Sequence, residues 1–93
     1  MATRLRIEGG GNRFQLHGEL DHFEVERLRE AFVNVNGQDA EVDLSGVTFI
    51  DSSGLRCLME QRQEHPGLRY ANPSDTVLRL LEIVGIREVV LGG

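Results

Sequence analysis

The chain reads as an α/β domain in which an N-terminal β-hairpin is followed by βαβ crossovers, in the order β β α β α β α β, forming one mixed sheet covered by helices. Three observations predict it. Apolar and polar residues alternate from Arg4 to His17 around a glycine run, the apolar spacing turns helical after Asp21, and two more helical stripes follow, each entered from a short strand-like run. At 93 residues with 40% hydrophobic content, one domain covering residues 1–93 is expected.

Leu5 and Ile7 share one face of the first strand, Phe14 and Leu16 one face of the second, and Gly9-Gly10-Gly11-Asn12 makes the turn. That glycine run lacks a following Gly-Lys-Ser/Thr and joins two strands, so it is no phosphate loop. Val25, Leu28, Ala31, Phe32 and Val35 form the first helical stripe. Asp21 as N-cap with Glu24 three residues on predicts a capping-box start, and Asn36-Gly37 the stop. Glu41–Leu44 and Val47–Ile50 read as strand. Asp51-Ser52-Ser53-Gly54 opens a second helix with Leu55, Leu58 and Met59 inward, closed by His65-Pro66-Gly67. Leu68–Ala71 is a short strand. Asn72-Pro73-Ser74-Asp75 starts a third helix, with Val77, Leu80, Leu81 and Val84 as its stripe and Gly85 as its stop. Ile86–Leu91 is expected to be a last strand.

Ten arginines and no lysine stand against fifteen acids, a formal net charge of −5. Nucleic acid and anionic membranes, which select clustered cations, are therefore not expected partners. The one cysteine, Cys57, cannot form an internal disulfide, and Met1–Arg6 carries no apolar signal core, so a cytoplasmic location is expected. Helical geometry puts Cys57 about 200° from Leu55, off the apolar stripe, which predicts a surface thiol. A monomer is the expected state of so polar a small chain.

The Asp51–Gly54 segment sits where a strand's carboxyl end meets a helix, the place where functional groups gather in open α/β sheets. There Ser52 or Ser53 either caps the helix or presents a hydroxyl whose phosphorylation the positive helix end would tolerate. A phosphate adds about −1.5 to −2 charge, enough to change a docking surface without refolding. A serine hydrolase is not indicated, because there is no Gly-x-Ser-x-Gly elbow, and His17, His22 and His65 lack both a paired orienting acid and metal-ligand spacing.

Gly18-Glu19-Leu20-Asp21-His22, Val42-Asp43-Leu44-Ser45-Gly46-Val47, Asp51-Ser52-Ser53-Gly54-Leu55 and the helix Val77–Glu82 with Val84-Gly85-Ile86 follow one another in order along nearly the whole chain. Together they resemble the STAS-domain anti-sigma factor antagonists of bacteria. The resemblance implies a STAS-like fold and a non-enzymatic partner-switching protein of transcription regulation. Its unphosphorylated form would bind an anti-sigma factor serine kinase and free the sigma factor. Phosphorylation by that kinase would release it, and a serine phosphatase would reset it. The phosphorylated position corresponds to Ser52, with Ser53 as second choice. Asp21, His22, Glu24, Asp51, Ser52, Ser53, Gly54 and Arg56 are the implied partner-binding residues, with Asp21, Glu24 and Asp51 expected as an exposed acidic patch. ATP belongs to the kinase, so no cofactor is implied for this chain. Arg56 departs from the small residue common in relatives and could pair with a phosphoserine one turn away. The extra C-terminal helix of longer relatives is not expected. The competing reading is a STAS accessory subunit of a lipid-transport ABC ATPase, bound constitutively; a nucleotide-binding STAS domain fits the missing phosphate loop poorly.

Overall fold

The computed structural model describes residues 4–35 and 39–92. Its elements are β1 (Leu5–Gly10), β2 (Arg13–Leu20), α1 (Val25–Phe32), β3 (Ala40–Ile50), α2 (Ser52–Glu64), β4 (Leu68–Ala71), α3 (Asp75–Val84) and α4 (Arg87–Leu91). The four strands form one mixed sheet in the order β1-β2-β3-β4. The hairpin pair β1/β2 is antiparallel, with Gly10 opposite Arg13 across a tight turn, and β2/β3 and β3/β4 are parallel, as helical crossovers require. The helix stop expected at Asn36-Gly37 lies outside the described residues.

Alternation along the strands sends Phe14 and Leu16, Val42 and Leu44, and Leu68 and Tyr70 to one face, where all are buried. Against them pack Leu28 and Phe32 of α1, Leu55 and Leu58 of α2, and Val77 and Leu81 of α3, all members of one core cluster. The Phe14 and Phe32 rings meet edge to face at 5.1 Å, a geometry that aromatic quadrupoles favour. Tyr70 donates its hydroxyl hydrogen to the Leu58 carbonyl at 2.8 Å and ties β4 to α2. The opposite sheet face carries Arg6, Glu8, Arg13, Gln15 and Arg69, all exposed.

Three expectations are corrected. Glu41–Leu44 and Val47–Ile50 belong to one continuous strand, β3, whose register against β2 shifts in the middle. The Asp43 carboxylate accepts the Ser45 N–H at 2.7 Å, a local bond that pulls the backbone out of step, and hydrogen bonding from Ser45 holds the Asp43 carboxyl below its ordinary value. Ile86–Leu91 is not a fifth strand: residues Arg87–Leu91 form helix α4. Only Val90 of that segment is fully buried, with Ile86 four residues earlier half-buried, which is helical spacing rather than alternation. Arg62 of α2 donates to the Val90 carbonyl at 2.8 Å and satisfies the end of this helix. Finally, Asp21 and Glu24 do not form a capping box. Helix α1 begins only at Val25, Glu24 is its N-cap without a side-chain cap bond, and both carboxylates are engaged elsewhere.

Helix α3 stops where predicted and buries Val77 and Leu81 with Leu80 half-buried, but Val84, expected on the inward stripe, is 51% exposed at the last turn. Ser74 caps it by accepting the Val77 N–H at 3.3 Å, and Gly85 ends it at φ 79, a left-handed conformation suited to glycine.

Helix α2 approaches the end of β2 so closely that a methyl group at Gly54 would stand 2.3 Å from the Leu20 carbonyl oxygen. That nearest atom is backbone, and the buried Leu20 and Ile50 side chains stand at 2.9 and 3.1 Å, so no flexible chain end can yield. Gly54→Ala is expected to lower stability by about 1–3 kcal/mol, read as a lower urea midpoint at unchanged m-value. An unchanged midpoint would mean that α2 does not sit this close to β2.

Candidate functional site

The carboxyl ends of β2 and β3 lie side by side, with Leu20 paired to Ile50. From β2 the chain turns through Asp21–Glu24 into α1, and from β3 it passes through Asp51 directly into α2. Asp51 joins the two exits. One carboxylate oxygen accepts the Gly54 N–H at 2.8 Å and caps α2, and the other accepts the His22 N–H at 3.1 Å from the neighbouring turn. With Asp51 as cap, the serines are released from that duty. Ser52 is exposed as the first residue of α2 and Ser53 is half-buried. Among the described residues none hydrogen-bonds the Ser52 hydroxyl.

The other acids of the region do not form the expected exposed patch. Asp21 is 5% exposed and Glu24 6%. Asp21 accepts the Phe23 N–H and an Arg4 guanidinium N–H, each at 3.0 Å. Glu24 accepts the Arg4 backbone N–H at 3.0 Å and an Arg27 guanidinium N–H at 2.6 Å, and the same Arg27 nitrogen donates to the Leu5 carbonyl. A buried carboxylate is stable only when paired and hydrogen-bonded, and both are. These two residues fix the β2–α1 turn against β1. What faces outward instead is the guanidinium of Arg4, that of Arg27, and Arg56 on α2.

Of the predicted site residues, the structure brings together His22, Asp51, Ser52, Ser53 and Gly54 around one hydrogen-bonded corner. Gly54 is buried and acts through close packing. Arg56 is exposed one turn along α2 from Ser52.

Two residues outside the predicted set belong to the same end of the sheet. Phe23, next to His22, is 70% exposed, and Phe49, two residues before Asp51, is 45% exposed. The Phe23 ring meets His22 edge to face at 5.5 Å and carries the Arg4 guanidinium 5.6 Å from its centroid. Phe23 is legible in hindsight as an aromatic off the α1 stripe. Phe49 is not, because strand alternation from Val47 assigns it to the core.

Cys57 also departs from expectation. Its side chain is fully buried against α1, where the thiol contacts the Val25 carbonyl at 3.8 Å, and burial pushes its pKa up to about 11. A protonated, enclosed thiol is a packing group, which removes it as a reactive site.

The comparisons with known proteins meet this geometry. Residues 3–92 match the family model described as Mlab, STAS domain. The chain belongs to the STAS domain family. Among solved structures, this STAS chain is similar to the anti-sigma factor antagonist SpoIIAA in its unphosphorylated form, at a TM-score of 0.65 and 24% identity, over 88% of this chain and 81% of that one. That likeness establishes a shared fold. No curated protein matched. Among the described residues, no helix is long and apolar enough to cross a membrane, and no three His, Cys, Asp or Glu side chains are grouped to hold a metal ion.

The division of labour at this corner is measurable. Asp51→Ala removes both accepted bonds and is expected to cost about 1–2 kcal/mol in urea unfolding, whereas Ser52→Ala changes stability by less than about 0.5 kcal/mol. Equal losses for the two variants would show that the serine, too, holds the helix.

Proposed function

We propose that this STAS protein is an anti-sigma factor antagonist, switched by phosphorylation of Ser52. The observation that carries the reading is the exposed Ser52 hydroxyl at the first turn of α2, with the capping work done by Asp51. In its unphosphorylated form the surface around Ser52 binds an anti-sigma factor serine kinase and so frees the sigma factor. The kinase then transfers the γ-phosphoryl group of its own ATP to the Ser52 oxygen, ADP leaves, and a serine phosphatase later restores the hydroxyl.

The physical logic of release is electrostatic and steric. A dianion at Ser52 lies at the positive end of α2, so the fold itself accepts it. A partner that had desolvated a neutral hydroxyl instead meets about −1.5 to −2 charge. A loss of roughly 3 kcal/mol at such a contact lowers affinity by about a hundredfold. On this reading the interface is not the acidic patch expected from Asp21 and Glu24, since both are buried. With Asp21 and Glu24 buried under Arg4 and Arg27, the docking surface is aromatic and arginine-bearing, a composition common in interface cores. It suits a partner with carboxylates at the contact, from which a phosphate is repelled. An acidic patch docking on a basic partner would be strengthened by the same phosphate.

Phe23 and Phe49 favour a second reading, in which the same surface is a permanent contact to the ATPase subunit of a lipid-transport ABC system, because large exposed aromatics are the side chains that anchor stable interfaces.

Affinity purification from cells followed by in vitro phosphorylation separates the two. The antagonist reading predicts capture of a small ATP-binding serine kinase, addition of one phosphate with ATP, no addition to the Ser52→Ala variant, and at least about a hundredfold weaker kinase binding after phosphorylation. Phosphate on Ser53 alone would reassign the site. Capture of an ABC ATPase, with binding indifferent to Ser52→Asp, would establish the second reading.

A further inference from the structure

Helix α3 is apolar over more of its circumference than its own chain covers. At about 100° per residue, Ile83, Leu80, Val84, Val77, Leu81 and Leu78 span an arc of about 220°, broken only by Thr76. Only Val77 and Leu81 of that arc are fully buried, whereas Ile83 is 75% exposed and Val84 is exposed beside it. Val89 of α4 is exposed as well, so three of the six large hydrophobic side chains left exposed among the described residues fall within Ile83–Val89. Single exposed apolar residues are ordinary, but a cluster marks a contact surface. Next to it a groove of about 400 Å³ lies at the junction of α3 and α4, with Leu81, Gly85, Ile86 and Val89 in its lining. Gly85 leaves the groove open, since a methyl group there would meet nothing within 4 Å. One surface thus holds a projecting side chain, Ile83, and an apolar hollow.

The charges around it identify what covers it. From residue 79 to residue 88 the ionisable side chains are Arg79, Glu82, Arg87 and Glu88, in the sign order plus, minus, plus, minus. All four are exposed, and none is ion-paired among the described residues. That order is complementary to its own reverse. A two-fold axis near Val84 sets Arg79 against Glu88 of a second copy and Glu82 against its Arg87, each pair occurring twice, while Ile83 faces the hollow at Gly85. A copy running in the same direction would set like charges together. A two-fold contact requires one patch to carry both halves of the fit, and this patch carries them in shape and in charge.

We infer that the α3–α4 face receives a second copy of this chain, forming a two-fold dimer in place of the monomer expected from composition. An interface confined to this patch is at the small end of the specific range, below about 1,200 Å² in total, so the dimer is weak and concentration-dependent. The inference uses no residue of the Ser52 corner and stands apart from the function proposed for it.

The test is sedimentation velocity on the full chain, from low micromolar to near-millimolar protein. The weight-average mass is expected to rise from the 10.4 kDa of one chain toward twice that value and to stop there. Ile83→Gln should weaken association at least about tenfold at an unchanged urea midpoint, because the side chain is exposed. Two charge variants test the pairing. Arg79→Glu with Arg87→Glu makes the rim wholly acidic, and Glu82→Arg with Glu88→Arg makes it wholly basic. Each alone should stay monomeric, and an equimolar mixture of the two should recover the dimer. The inference is overturned by a mass that stays at one chain, by growth past two chains, by association indifferent to Ile83→Gln, or by a mixture that does not recover.

Discussion

One carboxylate holds the candidate site together. The strands β2 and β3 run parallel, so their carboxyl ends deliver two chain exits to the same place, each with backbone N–H groups that the sheet no longer pairs. Asp51 answers both, accepting from His22 of one exit and Gly54 of the other. Gly54 makes the second bond possible, since any side chain there would strike the Leu20 carbonyl and push α2 away from the sheet. The Asp-Ser-Ser-Gly motif is thus two structural residues around two serines, and the flanking pair sets the position of the hydroxyl between them.

From that constraint the chemistry of the surface follows. Because the cap is an aspartate, a serine can occupy the first helical turn without structural obligation, and adding charge to it perturbs what docks more than what folds. Because the turn after β2 is pinned by Arg4 and Arg27 on buried Asp21 and Glu24, Phe23 is held outward on a rigid base. An aromatic presented this way loses little further freedom on binding, which is what makes such residues effective anchors. The proposed recognition surface and the proposed switch occupy adjacent loops, joined by the hydrogen bond from the His22 N–H to Asp51.

Much of this was readable from local chemistry. Ser74 and Gly85 bound α3 as capping preferences predict, and the position of Asp51 to Gly54 at a strand-to-helix junction follows from the order of elements. The mixed sheet follows from a hairpin succeeded by helical crossovers. What escaped was decided by partners distant in sequence. Asp21 and Glu24 have the spacing of a capping box, and only the fold reveals that Arg4 and Arg27 take their carboxylates first. Cys57 lies off the narrow stripe through Leu55 and Leu58, yet α2 is covered by α1 as well as by the sheet, so its buried arc is wider than a single stripe. The β-branched Ile86, Val89 and Val90 favour a strand by propensity, and burial of Val90 together with the bond from Arg62 accompanies a helix instead.

Amide hydrogen exchange on the protein before and after stoichiometric phosphorylation of Ser52 tests the central claim most directly. If Asp51 alone holds the corner, the His22 and Gly54 amides stay protected in both forms. If phosphorylation abolishes their protection and loosens the β2–α1 turn, the phosphate acts by disrupting the fold, and the account of a surface switched on a rigid frame is wrong.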